Sequence, residues 1–158
     1  MQLVNPMIWA LPISCAWMLS ACAHGAAHQH EAPMTSTDVP WSRIDIADGA
    51  ANAFHFTRAD DGRVRFVYVP VTPAESSSGL YSGGPPRREE LAANDARLVE
   101  LWDLLGRLEA NQAIHTPDRN KGTGAIAWDG PAGKRDFIIQ MGAAPLNELL
   151  ALLARFGS

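Results

Sequence analysis

The side chains best suited to chemistry fall in three places. Cys22 carries a thiol, a strong nucleophile once deprotonated. Close behind it come His24, His28 and His30, with Glu31 alongside; imidazoles at such spacing can wrap Zn²⁺ or Cu²⁺. Much further on, the run Glu75-Ser76-Ser77-Ser78-Gly79-Leu80-Tyr81-Ser82-Gly83-Gly84 collects hydroxyls, two anchor-type residues and glycines that permit tight turns and close backbone approach. A serine nucleophile there would need a base, and beyond the tail the chain offers His55 and His115.

The thiol at 22 is positioned by what precedes it. From Met7 to Leu19 the chain is apolar, the length of a signal-peptide core and short for a membrane-spanning helix. Leu19-Ser20-Ala21-Cys22 follows at once. This motif resembles the lipobox of bacterial lipoproteins. The resemblance covers the first 22 residues and implies a diacylglyceryl group on Cys22, cleavage before it and acylation of the new amine. Several acyl chains at about 0.8 kcal/mol per buried methylene hold a protein at a bilayer where one chain does not. Met1 to Pro6 departs from the usual pattern in lacking Lys and Arg. The resemblance also implies that Cys15 leaves with the peptide and that Ala23, in place of Asp, sends the protein to the outer membrane of a Gram-negative cell.

The organisation expected is therefore a cleaved signal peptide at 1–21, a lipidated tether at 22–40 and one domain at 41–158. The tether is rich in Ala, His, Pro, Ser and Thr without apolar periodicity. All Lys, Arg, Asp and Glu lie at or beyond Glu31. A net charge of −4 supplies no general basic footprint, which argues against nucleic acid as a partner.

Within the domain, alternation at Phe54–Thr57 and Arg63–Val69 around Asp60-Asp61-Gly62 predicts a hairpin, with His55 turned away from the phenylalanines. Pro85-Pro86 is read as opening a helix whose stripe runs from Leu91 through Leu98, Leu101, Leu105 and Leu108. A second hairpin is expected over 123–141, turning at Asp129–Gly133, and a final helix opens at Pro145 with Leu146, Leu149, Leu150, Leu153 and Phe156. The fold class expected is α+β, a mainly antiparallel sheet from two hairpins with two helices packed on one face.

Enzyme templates find no match. The loop reads Gly-Leu-Tyr-Ser-Gly at 79–83, not Gly-x-Ser-x-Gly, and the chain has no Walker phosphate loop and no His-Glu-x-x-His. A helix beginning after the loop would favour an anion, although Glu89 and Glu90 in its first turn would oppose one. His115-Thr116-Pro117-Asp118-Arg119 reads as a helix-exit turn that could also gather around a carboxylate or phosphate. The expectation is a non-enzymatic envelope lipoprotein whose domain is protein-binding or inhibitor-like, presenting a loop to its partner through Glu75, Ser76, Ser77, Ser78, Gly79, Tyr81, Ser82, Gly83 and Gly84. The alternatives are a Zn- or Cu-binding lipoprotein using His24, His28 and His30, and a serine hydrolase.

Overall fold

A computed structural model describes residues 40–158; Cys22, His24, His28, His30 and the rest of 1–39 lie outside the described residues. The element order is β1 (Arg43–Ala47), β2 (Ala53–Arg58), β3 (Val64–Val69), β4 (Arg87–Leu91), α1 (Ala96–Ala110), a 3-10 turn (Gln112–Ile114), β5 (Gly124–Gly130), β6 (Gly133–Ile139) and α2 (Ala144–Leu153). The strands form one six-stranded antiparallel sheet in the order β4-β3-β2-β1-β5-β6, so the class is α+β.

Alternation decides which side chains enter the core. Ile44 and Ile46, Phe54 and Phe56, Val64, Phe66 and Tyr68, and Ile126 and Trp128 are all buried, while the residues between them are not. They share one apolar cluster with the leucine stripes of both helices. Phe156, just past α2, completes it by packing edge-on against Phe56 with ring centroids 5.0 Å apart.

Two strands lie outside the expected pairs. Arg43–Ala47 was not anticipated; it sits between β2 and β5 and joins the two pairs into one sheet. Arg87–Leu91 corrects the helix expected to open at Pro85-Pro86. This segment pairs with β3, and Leu91 enters the core from a strand rather than a helix. The helix begins at Ala96, where the Asp95 carboxylate accepts from Arg97 N at 2.9 Å and satisfies one of its open amide groups. Leu91 falls seven residues before Leu98 and so mimics the helical stripe. Tertiary contacts then favour the strand: Arg87 donates to Phe156 O at 2.8 Å, and Glu89 accepts from Gly157 N at 2.7 Å. Glu89 and Glu90 are thus strand residues, and no helix N-terminus follows the 75–84 loop directly.

Candidate functional site

The connection between β3 and β4 runs from Pro70 to Pro86 and contains every loop residue singled out in the sequence. Its base is fixed from another part of the chain. After β1, Asp48-Gly49-Ala50-Ala51-Asn52 makes a tight turn in which Asp48 Oδ1 accepts from Ala50 N at 2.8 Å and Asn52 N at 2.9 Å. Ala51 adopts φ +69°, a conformation that costs a residue with a side chain about 1 kcal/mol or more. That turn delivers Asn52, 3% exposed, into the space beneath the loop.

Asn52 is fully used. Its Nδ2 donates to Asp48 Oδ2 at 2.7 Å and to Tyr81 Oη at 2.8 Å, and its Oδ1 accepts from Val71 N at 2.9 Å. Tyr68 Oη donates to Gly83 O at 2.7 Å, while Gly83 N donates to Val71 O at 2.9 Å. A Cβ at Gly83 would collide with Asn52 Oδ1 and crowd Tyr68 Oη, so glycine is required for this approach. Burial, reinforced by the Asp48 carboxylate, pushes the Tyr68 phenol up from its ordinary value and keeps it a donor.

Above this base the loop ties itself. Glu75 Oε2 accepts from Thr72 N at 2.9 Å and from Thr72 Oγ1 at 2.7 Å, which holds the Glu75 carboxyl below its usual range. The Ser76 and Ser78 hydroxyls are 2.9 Å apart, Gly79 turns with φ +67°, and Ser82 Oγ accepts from Gly84 N. Ser77 is exposed at the surface. Leu80 projects with 87% of its surface exposed, next to Tyr81 at 40%.

The histidines are engaged elsewhere. His55 stands on the sheet face away from the core, with Nδ1 2.6 Å from Asp45 Oδ1. Burial pushes the Asp45 carboxyl up, but the bonds from Arg43 and His55 outweigh it and leave the group below its ordinary value. His115 Nε2 lies 2.9 Å from Leu108 O, and its ring stacks on Phe137. No hydrogen bond joins a histidine to a loop serine among the described residues. Asp118 and Arg119 do not form a site with His115: Arg119 clamps the backbone, donating to Asp48 O at 2.8 Å and to Thr123 Oγ1 at 2.8 Å.

A concavity of about 470 Å³ opens on the sheet face that bears His55. Ala47, Ala53, Ala125 and Ala127 supply its small side chains, with Asp45, His55, Lys134 and Asp136 also lining it. Among the described residues there is no cluster of three or more metal-ligating side chains, and no helix long and apolar enough to cross a membrane.

Sequence reasoning found the loop but missed Asn52 and Asp48, which brace it. The one local signal was the turn-forming Asp48-Gly49 pair. No family model matches this chain, and neither a curated protein nor a solved structure matches it.

Proposed function

We propose that this is an envelope lipoprotein, held at the outer membrane by lipid on Cys22, whose domain binds a protein partner through residues 75–84. The observation that carries the binding half is the braced loop: Asn52 and Tyr68 secure its base while Leu80 stands 87% exposed at its tip. A single exposed leucine is ordinary on a protein surface. An exposed leucine on a loop whose conformation is already fixed is better suited to recognition, because less chain entropy is lost on binding.

We read the two helices as packed on one face of the sheet, because their buried leucines share a single apolar cluster with the inward-facing strand residues. Inhibition of an envelope hydrolase is one form this binding takes, since a pre-organised loop is how a protein occupies a cleft without reshaping itself. The Lys- and Arg-free stretch before Met7 leaves the apolar core and the Leu19–Cys22 motif as the features supporting the address.

Two measurements test the proposal. Labelled palmitate fed to the native host should appear on the mature chain and vanish in Cys22→Ser; retention of label would overturn the anchor. A photo-crosslinking residue at position 80 should capture a discrete envelope protein, whereas the same residue at exposed Lys121 should not. Equal capture at both positions, or none at either, would remove the loop as the binding element.

A further inference from the structure

The sheet ends at β6, and half of that edge is already covered. Thr116 N donates to Ile138 O at 3.0 Å and Gln140 N donates to Ile114 O at 2.8 Å, so the backbone groups at 138 and 140 point off the sheet. An antiparallel ladder alternates inward and outward pairs. Lys134 and Asp136 therefore present their own N–H and C=O groups outward, beyond the reach of the 114–116 segment. Their side chains are exposed and, among the described residues, neither makes an ion pair.

We propose that β6 pairs antiparallel with β6 of a second copy of this chain, Lys134 of each lying opposite Asp136 of the other. The charge pattern selects the register. With 134 opposite 136, outward backbone groups meet outward backbone groups and two Lys–Asp pairs form. A shift of two residues either way puts Lys134 opposite Lys134 or Asp136 opposite Asp136, and like charges directly opposite are unfavourable. Lone charges of one sign guard an edge strand against pairing; alternate signs at 134 and 136 instead match a second copy in one alignment. Arg135 meets Arg135 of the second copy on the other face, where Glu109, 3.9 Å away, offsets its charge.

The opposite edge carries a similar pattern in Arg88 and Glu90, but Glu90 is already bonded to Arg65 at 2.8 Å. Pairing at β6 also places two concavities side by side, since Lys134, Asp136 and Ile138 line the one described above. The surface is separate from the 75–84 loop, so loss of one leaves the other intact.

The test uses the full chain purified in mild detergent, with protein mass taken from light scattering after the detergent is subtracted. The parent should be a dimer. Lys134→Asp alone and Asp136→Lys alone should each weaken it about tenfold or more, because both cross-strand pairs turn repulsive. An equimolar mixture of the two variants should recover the dimer, as should the double swap Lys134→Asp/Asp136→Lys. Unchanged circular dichroism confirms that the variants fold. A monomeric parent, single variants that dimerise as well as the parent, or open chains of copies built by β4 on β6 would each overturn the proposal.

Discussion

Two connections in this sheet join antiparallel neighbours by opposite means. Between β5 and β6, Pro131 and Ala132 suffice, closed by Gly133 at φ +95°. Between β3 and β4 the chain travels from 70 to 86 and needs a buried asparagine, a buried tyrosine hydroxyl and a side-chain staple to hold its shape. Joining neighbouring strands does not require the longer route. Ordering it carries a backbone entropy cost of about 1–2 kcal/mol per residue fixed. The difference separates a connection that only closes the sheet from one whose conformation is itself maintained.

The contrast breaks most sharply at Asn52. Replacing it with alanine strands Val71 N and Tyr81 Oη beneath the loop, and should cost about 2–3 kcal/mol by denaturant unfolding. Hydrogen exchange should accelerate across 71–83 while 131–133 stays unchanged; equal acceleration in both would erase the distinction. The short connection should respond to Gly133→Ala, by about 1–2 kcal/mol, because only glycine is at ease at that φ. Its effect should stay within β5–β6. Tyr81→Phe removes one hydrogen bond and should cost about 0.5–1.5 kcal/mol. At the tip, Leu80→Asp should change stability by less than about 0.5 kcal/mol while abolishing capture of the partner.

Acid acts on the far end of the long connection, where β4 meets α1. Hydrogen bonds from Arg97 hold both the Glu89 and the Asp95 carboxyls below their usual ranges. Groups depressed in the folded state stabilise it fully above their unfolded values, and that contribution is lost as pH falls through the folded values. The unfolding midpoint should therefore decline below about pH 4, and Arg97→Gln should flatten that decline. A parent midpoint independent of pH down to the folded values would contradict this assignment.

The legibility of these features followed the range of the forces behind them. Phe54-His55-Phe56 and Val64-Arg65-Phe66 declare strands because alternate residues face a core, and the leucines of α1 and α2 recur at helical spacing. Arg87-Arg88-Glu89-Glu90-Leu91 has little intrinsic strand preference. Its state is decided by β3 and by the residues after α2, both distant in sequence. The 75–84 loop was visible from its length and composition, but its bracing was not. Asn52 meets Tyr81 across 29 positions, and nothing near either residue announces the partner.

The Asp48 turn belongs to more than the loop it underlies. Its carboxylate orients Asn52, its carbonyl receives Arg119, and Gly49 O accepts from Gly122 N at 2.8 Å with no room for a side chain between the two glycines. One small pivot thus pins two excursions that lie far apart along the polypeptide. A lesion at Asp48 should loosen 70–86 and 119–123 together, so the display surface and the approach to β5 share a single mechanical fate.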